Sequence, residues 1–200
     1  MLTHMCIKLT IRIVGRISTM NMKTKVLTTS AMFVALTAIC SQIQIPLPMV
    51  PINLALFAIY LAGAILGPKY GTLSVLTYVL LGGIGAPIFA GFSGGLGRIT
   101  GPTGGYIIGY IVATLIVGLI TKKCGYSWWT LVIAMVVGLT ACYIVGTAWF
   151  MYITGNSLAA SMTYCVIPFL PGDVVKIILA TALTIRLRLS LPDLMHAEAI

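Results

Sequence analysis

Four long stretches of this chain contain no charged side chain. Residues 26–68, 70–97, 99–121 and 124–172 hold no Lys, Arg, Asp or Glu. A helix needs about 20 apolar residues to cross the hydrocarbon core of a bilayer. Uncharged apolar runs of that length therefore read as membrane spans. The composition agrees: hydrophobic residues make up 60% of the chain and charged residues 8%, against about 25% charged in a typical soluble domain. A soluble fold of 200 residues needs more polar surface than this to face water. The expected fold class is all-α, a polytopic membrane protein.

Turn chemistry divides the apolar runs into six spans, at roughly 26–45, 52–66, 72–85, 103–121, 127–152 and 168–185. PLPMVP, 46–51, separates the first two, because its three prolines remove backbone donors and restrict their neighbours. GPKYG, 67–71, ends the second span with a glycine stop followed at once by proline. Loops are expected over 86–102 and 153–167. Trp128 and Trp129 at one end of the fifth span, and Trp149 at the other, suit the two interfacial belts. Domain boundaries follow: a basic, dispensable cytoplasmic extension over 1–21, a six-helix membrane domain over 22–190 and a cytoplasmic tail over 191–200. MKTKVLTTSAMF, beginning at Met22, would serve as a natural start, so the true start is either Met1 or Met22.

The net charge of +9 does not point to nucleic acid. With the N-terminus inside, the inner ends of six spans receive Lys8, Arg12, Arg16, Lys23, Lys25, Lys69, Lys122, Lys123, Arg186 and Arg188, ten of the twelve basic residues. Excess Lys and Arg on cytoplasmic loops is the ordinary determinant of orientation, and both termini are then cytoplasmic. There is no zinc-finger spacing and no aromatic-basic platform. Five cysteines at 6, 40, 124, 142 and 165 form no CxxC pair and read as apolar filler.

Three charges remain unexplained by orientation: Arg98, Asp173 and Lys176. Asp173 and Lys176 lie three apart in PGDVVKIILATAL at the start of the sixth span, which puts them on one helix face. A first-turn acid favoured by the helix dipole, with a lysine snorkelling beside it, is one reading. Charges at membrane depth otherwise mark function, and Arg98, Asp173 and Lys176 together could line one outward-facing pocket. That set suits a small ligand with a carboxylate at one end and amide-like groups at the other. GGLGRITGPTGGY, 94–106, is neither a phosphate loop nor a dinucleotide fingerprint. Its glycines permit close approach to a ligand or a tightly packed turn. Gly101, Gly105 and Gly109 recur at the four-residue spacing of close helix contacts. Tyr106 could wall a pocket or anchor an interface. Ala31 and Ala35 on the first span would also allow a close helix contact.

No catalytic constellation is present. His4 and His196 lie near the chain ends, no metal-ligand set forms, and the spans contain no pair of carboxylates. A membrane enzyme would need more reactive groups at one depth. Nor is there a nucleotide site, so any ATP-driven work needs a partner.

GGLGRITGPTGGYIIGY (94–110), LAGAILGPKYGTLSVLTYVLLGGIGAPIFAG (61–91) and PGDVVKIILA (171–180) resemble, in order and spacing, the BioY family, the biotin-capturing substrate (S) subunits of energy-coupling factor (ECF) transporters. The resemblance covers about residues 22–190. It implies a six-helix S-component fold in a bacterial plasma membrane and a ligand, biotin, taken from outside. It also implies a transmembrane coupling (T) subunit and two ATPase subunits as partners, with no cofactor or metal held by this chain. Small residues on the first span are typical of the family's docking face, which assigns Ala31 and Ala35 to partner contact. The family's pocket carries over to Arg98, Asp173 and Lys176, with Ser93, Gly101, Tyr106 and Asn53 beside them. Asp173 would accept the ureido N–H bonds, Lys176 would donate to the ureido carbonyl and Arg98 would hold the carboxylate; the two cations could be exchanged. One departure stands out: in PINLALF, 51–57, Asn53 replaces a threonine and Ala55 a glutamine common in the family. A stand-alone carrier, or a same-fold subunit for a biotin analogue or another small vitamin, is the alternative.

Overall fold

The first span folds as α1, Met22–Gln42. Its buried positions, Ser30, Phe33, Thr37, Cys40 and Ser41, recur every three or four residues and face the protein, while Leu27, Met32 and Ile39 are exposed. That stripe is what an apolar helix needs when one side meets protein and the other meets lipid. The structure, a computed structural model, describes residues 22–45 and 50–190. The expected extension over 1–21, the tail over 191–200 and most of the turn over 46–51 lie outside the described residues, as do Cys6, His4 and His196.

Within the described residues the chain forms seven helices and one antiparallel pair of short strands. After α1 come β1 (Gln44–Ile45), β2 (Ile52–Asn53), α2 (Ala55–Gly83), α3 (Leu96–Thr100), α4 (Gly104–Cys124), α5 (Trp128–Thr154), α6 (Leu158–Cys165) and α7 (Leu170–Ser190). The count of seven differs from the expected six for identifiable reasons. The second and third expected spans are joined in α2, and the two expected loops each contain a short helix, α3 and α6. The first connection is a β-hairpin, with Gln44 opposite Asn53 and Ile45 opposite Ile52, where the sequence reading carried helix to residue 45.

α2 is not one rod. Gly67 leaves helical geometry at φ 70°, ψ −170°, directly before Pro68. A side-chain carbon at Gly71 would lie 2.6 Å from the carbonyl oxygen of Ala62, on the other side of that break. Leu56 and Tyr78 also line one cavity, although 22 residues of straight helix would hold them about 33 Å apart. The chain therefore folds back at Gly67 into two arms. The glycine-proline stop was read correctly as a reversal, but it needs almost no loop, because glycine tolerates the positive φ.

α4 is the centre of the fold and packs against both α2 and α5. The contacts are backbone-close. Gly63 of α2 faces the Thr114 carbonyl, where a side-chain carbon would sit at 2.8 Å. Gly118 of α4 faces the backbone of Pro68, and Gly109 faces Cys142 of α5. Gly105 accommodates Trp149. Gly105 and Gly109 thus do serve a helix contact, while Gly101 lies before α4, where a side-chain carbon would meet only its own local chain. Between lipid-facing helices, where no hydrophobic gradient drives association, small residues of this kind supply the packing.

Among the described residues, four helices are long and apolar enough to cross a membrane: residues Thr24–Gln42, Ala55–Gly83, Gly104–Cys124 and Trp128–Thr154. A fifth candidate is the pair Leu158–Cys165 and Leu170–Arg188, bent by 51°. The charges fall at two poles. Lys25 at the start of α1, Lys69 at the α2 reversal, Lys122 and Lys123 at the end of α4, and Arg186 and Arg188 late in α7 occupy one pole. Arg188 stacks on the Tyr126 ring at 3.1 Å from its centroid, tying α7 to the α4–α5 turn. The opposite pole holds the β-hairpin, the loop with α3, and the start of α7.

Candidate functional site

The second pole holds a partly open cavity. Its walls come from the β-hairpin and first arm of α2 (Asn53, Leu56), the second arm (Tyr78), the loop (Phe89, Ser93, Arg98), α4 (Tyr106, Ile107, Tyr110), α5 (Cys142, Tyr143) and α7 (Asp173, Lys176). No single element makes the site. The reversal at Gly67 brings both arms of α2 to it, and α4, α5 and α7 each add polar groups to the same cavity.

The strongest chemistry is on α7. Asp173 and Lys176, at 2% and 6% exposure, are buried in the cavity wall. Lys176 Nζ donates to Asp173 Oδ1 at 2.7 Å, and the Tyr143 hydroxyl donates to Oδ2. The spacing of three on a helix makes the first contact; α5 supplies the second. A buried carboxylate is tolerable only when it is paired and hydrogen-bonded, and here each oxygen has one donor. A carboxylate has about four lone-pair sites, so both oxygens can still accept from a ligand.

Arg98 lies on α3 at the cavity mouth, exposed, and its guanidinium makes no hydrogen bond or ion pair among the described residues. The backbone at the end of its helix is anchored by the Trp149 indole, whose Nε1 donates to the Gly101 carbonyl at 3.0 Å. Trp149 is therefore more than a belt residue. The two charged centres differ in character: an acceptor held deep in the protein, and a free cation at the rim.

The other sequence candidates divide. Ser93 and Tyr106 line the cavity; the Ser93 hydroxyl donates to the Ala90 carbonyl at 2.8 Å, and the Tyr106 hydroxyl bonds Thr147 at 3.1 Å. Asn53 lines it too, and its Oδ1 accepts from the Ala55 amide at 3.1 Å, which starts α2. Gly101 is not on the cavity wall and acts through its carbonyl. Ala55, at the glutamine-like place, is fully buried and does not reach the cavity. Ala31 and Ala35 are exposed on α1, away from the cavity. No group of three metal-ligating side chains occurs among the described residues.

Several wall residues escaped the sequence reading: Tyr143 above all, with Tyr78, Phe89 and Tyr110. The available signal was the placement of tyrosines in mid-span, where an O–H needs a partner, rather than at interfaces.

The apolar walls, the buried acceptor and the rim cation define a site for a small, elongated, amphipathic molecule. Comparisons with known proteins agree. The chain is 44% identical over 168 residues to the probable biotin transporter BioY of Pyrococcus horikoshii, covering 84% of this chain and 98% of that one. It is 36% identical over 160 residues to the biotin transporter BioY of Thermotoga maritima, covering 80% and 93%. The fold matches the crystal structure of the S-component for biotin from an ECF-type ABC transporter, with a TM-score of 0.78 at 34% identity over 83% of this chain and 92% of that chain. These relatives are named as transport proteins rather than enzymes. The BioY family profile matches residues 16–193, and the chain is a member of the BioY family.

Proposed function

We propose that this chain captures biotin from outside the cell as the substrate-specific subunit of an ATP-driven ECF transporter. The observation that carries the reading is the buried Asp173 carboxylate, held by Lys176 and Tyr143 on the wall of a cavity whose rim carries an unpaired Arg98. The ureido ring presents N–H donors to Asp173, and Lys176 donates to its carbonyl. The valerate carboxylate meets Arg98 at the mouth. Charge-assisted bonds of this kind are the strong ones when water is excluded. Leu56, Phe89 and Ile107 offer the apolar surface that the ring edge and tail require. Ser93, Tyr106 and Asn53 complete the wall, and Gly101 contributes by anchoring the segment that carries Arg98.

The arms of α2 count as two crossings, which with α1, α4, α5 and the bent α6–α7 pair makes six. The basic pole faces the cytoplasm by the positive-inside rule, so both ends of the chain are cytoplasmic and the cavity opens outward in the plasma membrane. The exposed face of α1 with Ala31 and Ala35 is where a T subunit bearing two ATPase subunits docks. Equilibrium titration of labelled biotin on the purified chain tests the reading, with thiamine and riboflavin as competitors. Tight binding displaced only by biotin, and weakened in Asp173→Asn and Arg98→Ala, supports it. A folded protein that does not bind biotin overturns it.

A further inference from the structure

The segment that closes one side of the cavity is a tight turn tied to the end of α1 by the Gln42 side chain, while the Ser41 and Tyr78 hydroxyls donate to the Ile88 carbonyl just before it. Phe89 and Ser93 exchange backbone hydrogen bonds, N to O at 2.9 and 3.3 Å, around residues 90–92. Two consecutive residues inside it have positive φ, Gly91 at 73° and Phe92 at 51°. Glycine adopts that conformation freely, but for a bulky side chain it is an outlier that needs outside support. Phe92 draws no support from burial, since the residue is 75% exposed. The support comes from the end of α1. The Gln42 side-chain amide donates from Nε2 to the carbonyls of Ile88 and Phe89, both at 3.1 Å. Its Oε1 accepts from the Phe92 N–H at 2.8 Å. One amide thus grips three backbone groups, including the amide of the strained residue. Both its donor and acceptor ends are needed, which is the property that separates glutamine from glutamate or methionine.

The turn itself carries cavity wall: Phe89, Ala90 and Ser93 all line it. Gln42 does not line the cavity. We propose that Gln42 is a positioning residue for ligand retention: its amide clamps the 89–93 turn over the cavity, so that the C-terminal end of α1 sets how fast bound ligand escapes. This rests on the cavity being the biotin site. It gives α1 a role at the cavity end in addition to its exposed face.

The test uses the whole chain in detergent, with Gln42→Met, which keeps side-chain length and removes the three bonds to residues 88–92, and Gln42→Glu, which keeps an acceptor for Phe92 and loses both donors. The expected result is biotin dissociation at least tenfold faster in Gln42→Met. Gln42→Glu should also release biotin faster than the unaltered chain, and ligand-free melting should be little changed. Amide hydrogen exchange is measured in parallel without ligand. The Phe92 amide should exchange at least tenfold faster in Gln42→Met, while α4 amides keep their protection. Unchanged Phe92 exchange overturns the clamp. Faster exchange with an unchanged biotin off-rate overturns its role in retention. Failure of the unaltered chain to bind biotin overturns the substrate reading and the retention claim with it, while the clamp is decided by exchange alone.

Discussion

Replacing Lys176 with methionine separates what the buried pair does for folding from what it does for binding. The Lys176–Asp173 contact is 2.7 Å, and the two side chains are 7% and 2% exposed. Methionine keeps most of the lysine stem, so little of the loss reflects a cavity. What it leaves is a carboxylate in the protein interior without its cation, a change that costs about 3–5 kcal/mol. Tyr143 still donates to Oδ2, and a hydrogen bond to a charged group contributes about 1.5–3 kcal/mol, so the cost should fall near 3 kcal/mol. Adding Asp173→Asn removes the orphaned charge, and the double variant should return to within about 1 kcal/mol of the starting stability. Binding behaves differently. The neutral amide cannot give the charge-assisted acceptor, and losing about 1.5–3 kcal/mol weakens biotin binding by roughly ten- to a hundredfold or more. The assay is reversible unfolding in mixed micelles, with a biotin titration on each variant. Stability should fall in the single variant and recover in the double, while affinity recovers in neither. A single variant as stable as the unaltered chain would show that the pair is solvated. A double variant that binds biotin normally would remove α7 from the site.

Other consequences can be checked separately. Arg98→Ala should weaken biotin by at least tenfold and leave the binding of biotin methyl ester nearly unchanged, because only the free acid has a carboxylate for the rim cation; equal losses for both would reassign Arg98. Gly118→Ala should destabilise the fold by about 1–3 kcal/mol by overpacking, since its side-chain carbon would lie 2.5 Å from the Pro68 nitrogen. Gly97→Ala, with nothing within 4 Å, should be neutral or slightly stabilising in the same unfolding assay. In a Cys6→Ser background, Cys124 is the exposed cysteine among the described residues and lies at the basic pole. An impermeant maleimide should therefore label it in inside-out vesicles and not in intact cells, and the opposite pattern would reverse the orientation.

Charge made part of this site legible in advance. Arg98, Asp173 and Lys176 are conspicuous because their surroundings contain no other charge, and an ion at membrane depth needs a reason to be there. The structure places all three on one cavity. Tyr143 and Phe89 carried no such signal. In a uniformly apolar span an aromatic can face lipid, a neighbouring helix or a cavity, and one-dimensional pattern does not separate those outcomes. The reversal at Gly67 was readable from glycine followed by proline, yet its tightness was not, since that depends on Gly71 fitting against Ala62. Helices α3 and α6 were read as loops because they are only 5 and 8 residues long. Their capping and apolar content are too slight to stand out beside the long spans. Gln42 was invisible for a related reason: the partners that matter in the turn are backbone groups 46 to 50 residues away.

The most direct measurement is an experimental structure of the chain with biotin bound. The account predicts the ureido ring against Asp173, Lys176 and Tyr143, the valerate chain along the apolar wall, and the carboxylate within hydrogen-bonding distance of Arg98. Biotin in the reverse orientation, or bound outside the cavity, would contradict it.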